Sequence, residues 1–168
     1  MLRTIESHRA FTDNKFPPNV NSLLDTEEKN GGLDSKTVSC FEKLVWRRTT
    51  SIWPGYQRLF PKDGLKSGMI NQGRLADCYF LSLVDALIKV LPIEDLFLIK
   101  EVNKAGIYAI KLFVDGQWQE VIVDDYLPCS KDTGLPIFAC SREPEECIWI
   151  CLLEKAWAKL HGTYCMTR

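Results

Sequence analysis

An α+β fold is predicted by three segments: an apolar helix at residues 78–91, a β-hairpin at 106–124 and an amphipathic helix at 144–162. Irregular connections join them, and the sequence contains no internal repeat or low-complexity tract. The chain has 168 residues, of which 46% are hydrophobic, and this is enough for one buried core. We therefore expect a single folded unit.

Residues 1–45 are predicted to form an extended anchor segment on the unit formed by residues 46–168. The segment is rich in Asn, Ser, Asp, Thr and Pro, and its apolar residues are irregularly spaced. These anchors are Phe11, Phe16, Leu23, Leu24 and Leu33. Residues 41–59 then predict a short buried segment and a turn at Pro54-Gly55.

Each of the three segments has its own pattern. Residues 78–91 are almost entirely apolar and precede Pro92, which predicts a helix buried on most sides. The hairpin is predicted by alternating apolar and polar residues around Asp115-Gly116, a pair suited to a type I′ turn. The last helix is predicted to begin at Pro144 and to end before Gly162.

Composition excludes several classes of partner. The chain has 21 Lys and Arg against 22 Asp and Glu, so it has no basic surplus to attract nucleic acid. No apolar stretch is long enough to span a bilayer, and the first residues do not resemble a secretory signal. Seven cysteines without such a signal indicate reduced thiols and a cytoplasmic location.

The segment with the clearest chemistry is the loop that leads into the first helix. A cysteine at a helix N-terminus faces unpaired N–H groups and the positive end of the helix dipole, which favour a thiolate. Cys78 is therefore predicted to be a nucleophile. The Gln72 side-chain amide and the Cys78 N–H are predicted to form an oxyanion hole. The alternative is that Cys78 is one of several buried thiols and Gln72 an ordinary loop residue.

The stretch Gln72-Gly73-Arg74-Leu75-Ala76-Asp77-Cys78-Tyr79 resembles the nucleophile motif of the calpain family of cysteine proteases. It departs from that motif at Ala76, where calpains have glycine, and at Tyr79, where they have tryptophan. Further matches cover the chain from the N-terminal anchor to the last helix. They lie at residues 11–18, 22–23, 46–52, 121–128, 149–159 and 162–164.

The resemblance implies the nucleophile-bearing first half of a papain-like cysteine protease fold. It implies a calcium-dependent endopeptidase that binds protein or peptide substrates in extended conformation. Calpains supply the catalytic histidine and asparagine from a second subdomain, whereas this chain ends at Arg168 and contains only His8 and His161. We expect a truncated catalytic domain in which His161 caps its helix. The alternative is a non-catalytic module that binds peptides or another calpain chain.

The resemblance also implies a calcium site. Met69 and Cys147 occupy the positions of two expected acidic ligands, and sulfur does not suit a hard cation. Gly64 is a candidate for a backbone carbonyl ligand, and Asp63 or Glu146 for a neighbouring carboxylate.

Two other groups of residues invite a functional interpretation. Cys140, Cys147 and Cys151 lack metal-ligand spacing and are interpreted as core residues. The pair Asp124-Asp125 is expected to make structural hydrogen bonds.

Overall fold

The computed structural model describes residues 10–27, 32–55, 57–142 and 147–167. It confirms a mixture of helices and strands. The α-helices are α1 (Ser35–Glu42), α2 (Thr49–Ile52), α3 (Cys78–Leu87) and α4 (Trp149–His161). The strands are β1 (Val45–Arg48), β2 (Ile70–Asn71), β3 (Ile107–Val114), β4 (Gln117–Asp124), β5 (Tyr126–Cys129) and β6 (Cys140–Ser141). None of the helices in the described ranges could cross a membrane.

The strands form three antiparallel pairs, β3 with β4, β1 with β5, and β2 with β6. The predicted hairpin is confirmed, because β3 and β4 pair from Ile107 opposite Asp124 to Val114 opposite Gln117. Its turn has positive φ angles, 52° at Asp115 and 75° at Gly116. These are the angles that a two-residue type I′ connection requires.

The main hydrophobic core lies between α4, the hairpin and the buried face of α3. Trp149, Leu152 and Ala156 on α4 are completely inaccessible and share this core with Tyr108 and Val123 of the hairpin. Because α4 is buried on most of its surface, its charged residues need partners within the protein.

A second, smaller core attaches the N-terminal segment. Phe16, Leu23 and Leu24 are buried against Ala158 and Tyr164, so three of the predicted anchors are inserted. The prediction of a wholly extended segment is wrong, because it contains α1. The Asp34 side chain accepts hydrogen bonds from Lys36 N and Thr37 N at the start of α1, and Phe41 is buried. The division at residue 45 stays a prediction.

Helix α3 differs from its prediction in length and burial. It ends at Leu87, and Val90 and Leu91 lie in the turns that follow. Only Phe80, Leu81 and Val84 are buried, whereas 56% of Leu83 is exposed. The apolar sequence therefore supplies both a core face and an exposed face. Helix α4 ends before Gly162 as predicted, but it begins at Trp149 and not at Pro144, because Cys147 forms a β-bridge with Arg58. Pro144 itself lies outside the described residues.

Buried ion pairs connect these elements. Lys155 on α4 pairs with Asp124, and both side chains are inaccessible. Arg48 pairs with Asp125, which also accepts a 3.0 Å hydrogen bond from the Thr49 hydroxyl. The two aspartates therefore have structural partners, in agreement with the expectation.

Candidate active site

Cys78 is the first residue of α3, and its thiol is exposed. The preceding residue, Asp77, makes no side-chain hydrogen bond to the helix N-terminus. Phe80 N and Leu81 N donate to the Asp77 carbonyl, whereas the N–H groups of Cys78 and Tyr79 precede the first helical hydrogen bond and lie at the positive end of the dipole. The helix start therefore offers backbone donors beside the sulfur.

Gln72 and Cys78 line the same cleft, which has a volume of about 360 Å³ and is called here the Cys78 cleft. The Gln72 amide nitrogen donates a 3.1 Å hydrogen bond to the Leu75 carbonyl. An amide NH₂ group has two N–H donors, so one is left after this bond. The remaining lining residues are Gly68, Ile70, Leu81, Ser82, Asp85 and Arg142.

The loop between Gln72 and Cys78 is held against residues 137–139. Arg74 N donates a 2.8 Å hydrogen bond to the Ile137 carbonyl. A Cβ atom at Gly73 would lie 2.3 Å from both the Ile137 oxygen and the Phe138 Cα. The contact therefore requires glycine, since no side chain fits at that separation.

Behind Cys78, the Asp77 carboxyl is buried without a hydrogen-bond donor to either oxygen, and its neighbouring titratable group is the Glu154 carboxyl of α4. Burial raises the pKa of Glu154 well above its usual range, and the negative charge and hydrogen bond of Asp77 act in the same direction. Burial also raises the pKa of Asp77. Sequence reasoning missed this pair. The signal was an acid, Glu154, which is one of two charged residues, with Lys155, in the otherwise apolar run from Trp149 to Ala156.

The two departures from the motif cause no distortion. Ala76 does not adopt a positive φ, so it needs none of the conformational freedom of glycine. Tyr79 is half exposed, and its hydroxyl accepts a 3.2 Å hydrogen bond from Trp157 Nε1. Trp157 also stacks on Phe80 with the ring centroids 4.8 Å apart. These three aromatic side chains line a groove beside α3 and are not among the residues that line the Cys78 cleft.

Comparison with known proteins agrees with the motif. The sequence model for the calpain family cysteine proteases matches residues 11–168. This chain belongs to the calpain family.

Three relatives show how much of a calpain the chain represents. It is 38% identical over 164 residues to the calpain-type cysteine protease ADL1 of Oryza sativa subsp. japonica, covering 95% of this chain and 7% of the relative. It is 40% identical over 162 residues to the calpain-type cysteine protease DEK1 of Arabidopsis thaliana, covering 93% and 7%. It is 36% identical over 170 residues to the human calpain-1 catalytic subunit, covering 97% and 22%. The chain thus spans a small part of these calpains.

A general base is the part of a calpain site that the described residues do not provide. No histidine in the described ranges lines the Cys78 cleft. His161 lies at the end of α4, where its Nδ1 is 2.9 Å from the Trp157 carbonyl and its ring contacts the Trp157 ring. This position agrees with a capping role. His8 lies outside the described residues.

The residues at the expected calcium positions do not fit a hard cation. The Met69 sulfur accepts a hydrogen bond from Lys66 N, and the Met69 carbonyl accepts one from Arg142 N at 2.6 Å. Cys147 is buried and forms no disulfide. Gly64 lies in the loop before Met69 with a φ of 74°. Calcium prefers six to eight oxygen ligands, which this set does not supply.

The loop between Gly64 and Met69 is held to α3 by the Asp85 carboxylate. This carboxylate accepts 2.6 Å hydrogen bonds from the Ser67 hydroxyl and from Gly68 N. These bonds lower the pKa of Asp85. Asp63 is exposed on the loop, and Glu146 lies outside the described residues. No cluster of three or more His, Cys, Asp or Glu suited to a metal is found in the described part of the chain.

Proposed function

We propose that this chain is the nucleophile-bearing part of a calpain-type cysteine endopeptidase. The observation that carries the proposal is the shared cleft, in which the exposed Cys78 thiol at the N-terminus of α3 lies with Gln72. In that arrangement Cys78 is the nucleophile, and its own N–H forms the oxyanion hole with the Gln72 amide. The substrate class is peptide or protein in extended conformation.

The chemistry assigns each group a step. The Cys78 thiolate attacks the scissile carbonyl carbon, a C–S bond forms, and the carbonyl π electrons move to the oxygen. The two donors stabilise that oxygen until the C–N bond breaks and leaves an acyl-enzyme, which water then hydrolyses. The leaving amine needs a proton. We propose that a histidine and an asparagine of a second protease subdomain serve this step.

Calcium dependence remains a prediction from the resemblance, and no catalytic step here passes through the ion. The donor set at Gly64, Met69 and Cys147 does not support it. A cytoplasmic location is likewise proposed. It is supported by the seven cysteines, none of which forms a disulfide.

Alkylation of Cys78 tests the proposed nucleophile. The folded chain is treated with iodoacetamide, and the labelling rate of each cysteine is measured by peptide mass spectrometry. We expect Cys78 to react faster than the partly buried Cys40 and Cys140, and faster than the same cysteine in the urea-unfolded chain at the same pH.

The Cys78→Ala variant is the control, since it should lose only the fast label. A Cys78 rate equal to that of the unfolded chain would contradict an activated nucleophile. It would favour the second candidate, a peptide-binding module.

The observation that favours this second candidate is an apolar groove of about 360 Å³ beside α3. Its exposed lining includes Leu83, Leu91, Phe113 and Trp118. Binding of an extended apolar peptide without any cleavage or fast labelling would support it. A partner calpain chain or second subdomain on this face remains a proposal.

A further inference from the structure

Two acidic side chains meet inside the protein, directly behind the nucleophile. Asp77 precedes Cys78 and is completely inaccessible, and Glu154 on α4 is 2% exposed. Taken as a carboxylate, Asp77 has no hydrogen-bond donor for either of its buried oxygens, and the group that can hydrogen-bond to it is the Glu154 carboxyl. Two carboxylates cannot form such a bond, because neither has a donor. One proton must therefore lie between them.

No ion pair in the described part of the chain compensates a negative charge on Asp77 or Glu154. The ion pairs of the described residues involve Asp13, Asp95, Asp124 and Asp125, and neither Asp77 nor Glu154. Both carboxylate oxygens of Asp77 are buried, and no donor reaches them unless Glu154 carries a proton. A buried, unpaired pair of negative charges is far more costly than one shared proton.

The surroundings indicate which acid carries the proton. Asp77 lies at the positive N-terminal end of α3, which stabilises its anion. Glu154 is enclosed on α4, and both of its oxygens lie within hydrogen-bond distance of Ala139 N, at 3.1 and 3.2 Å. The neighbouring titratable groups are Cys151 and Tyr164, whose pKa values are raised by burial. Both stay neutral and add no charge beside the pair. The helix N-terminus therefore favours Asp77 as the carboxylate and Glu154 as the protonated acid.

The pair also connects both halves of the Cys78 site. On one side, Glu154 interacts with the side chain of Asp77, the residue before Cys78. The Asp77 carbonyl in turn accepts hydrogen bonds from Phe80 N and Leu81 N in the first turn of α3. Through Ala139 N, Glu154 holds the segment on which Gly73 and Arg74 rest.

We propose that Asp77 and Glu154 share one proton at neutral pH and that this pair positions Cys78 relative to the Gln72 loop. Glu154 is therefore a positioning residue. Its effect on Cys78 rests on the proposed function, whereas the shared proton does not.

Infrared spectroscopy tests the proton directly. A protonated carboxyl has a C=O stretch that a carboxylate lacks. We expect the difference spectrum at pH 7 between the wild type and Glu154→Gln to contain this band. Glu101→Gln, a change at an exposed glutamate, is the matched control and should leave the band in place. A wild-type spectrum without the band at pH 7 would overturn the shared proton.

Labelling of Cys78 tests the positioning. The amide in Glu154→Gln can still donate to Asp77, so its Cys78 labelling rate should stay within about twofold of the wild type. Glu154→Ala removes the donor and should lower the rate about tenfold, the factor for one lost buried hydrogen bond to a charged group. If that variant does not fold, Asp77→Asn, whose amide can donate to a Glu154 carboxylate, takes its place and should retain the rate within about twofold. Equal rates in Glu154→Ala and wild type, or a tenfold loss in Asp77→Asn, would overturn the positioning role.

The two failures are distinguishable. A wild-type Cys78 that labels no faster than the unfolded chain would contradict the proposed function, while the infrared band would still decide whether the proton is shared. A fast Cys78 without the band would contradict the shared proton alone.

Discussion

Gly73 is the residue on which the shape of the Gln72 loop most directly depends. Its backbone lies against Ile137 and Phe138, where a Cβ atom would be 2.3 Å from backbone atoms that cannot rotate away. Gly73→Ala should therefore separate the loop from this segment and cost about 1–3 kcal/mol of unfolding free energy. Urea denaturation measures the cost, and faster amide exchange at Arg74 N would show where the separation occurs.

Gly64→Ala is the control for this prediction. A Cβ at Gly64 would have no atom within 4 Å, although its φ of 74° is unfavourable for alanine by about 1 kcal/mol. The two variants separate steric contact from backbone strain. If Gly73→Ala were as stable as the wild type and Arg74 exchange were unchanged, the close contact would be wrong.

At the residue scale, the sequence predicted the groups that belong to a contiguous motif. Cys78 and Gln72 lie six residues apart in one loop, so local chemistry was enough to pair them, and the structure places both in one cleft. The roles of these two residues stay predictions. Glu154 was not predicted, because its partner Asp77 is 77 positions away in the chain and only tertiary packing brings them together.

At the scale of elements, Lys155 connects α4 to the end of the hairpin. Burial lowers the pKa of Lys155, an effect that the neighbouring Asp124 opposes. Lys155→Met would leave Asp124 buried without its cation and should cost about 3–5 kcal/mol. Urea denaturation measures the loss.

Lys159→Met is the matched comparison on the same helix. The Lys159 side chain is 17% exposed and that of its partner Asp13 is 5% exposed, so its loss should cost less than the loss of Lys155, about 1–3 kcal/mol. The double variant Lys155→Met/Asp124→Asn should recover part of the cost, because the uncompensated charge is removed. Equal losses of unfolding free energy in the two lysine variants would show that burial does not determine how much the Lys155 pair stabilises the protein.

Elements were predictable where a local pattern determines them. The hairpin follows from alternation around Asp115-Gly116, and its positive φ angles agree with the predicted turn. Helix α1 was missed because its polar residues suggested a loop, whereas Asp34 in fact caps a helix whose Phe41 is buried. The exposed face of α3 was missed because an apolar residue does not by itself indicate which side faces the core.

At the scale of the whole molecule, the two hydrophobic cores meet at α4. The helix contributes Trp149 and Leu152 to the larger core and Ala158 to the smaller one, which holds the N-terminal segment. The Lys159 pair with Asp13 adds a polar link between α4 and that segment. We therefore expect the two cores to unfold together in one transition. Calcium bound in the loop before Met69 would then stabilise the whole folded unit.

Calcium provides the last prediction, because ligands that bind only the folded state raise its melting temperature. Met69 and Cys147 supply sulfur at the expected ligand positions, and the Asp85 carboxylate is engaged by the Ser67 hydroxyl and Gly68 N. We expect millimolar calcium to leave both the melting temperature and the Cys78 labelling rate of the wild type unchanged. Met69→Asp introduces a carboxylate at one expected ligand position and should produce a calcium-dependent rise in melting temperature. Magnesium is the ionic control, and a wild-type rise specific to calcium would restore the calcium dependence that the calpain resemblance implies.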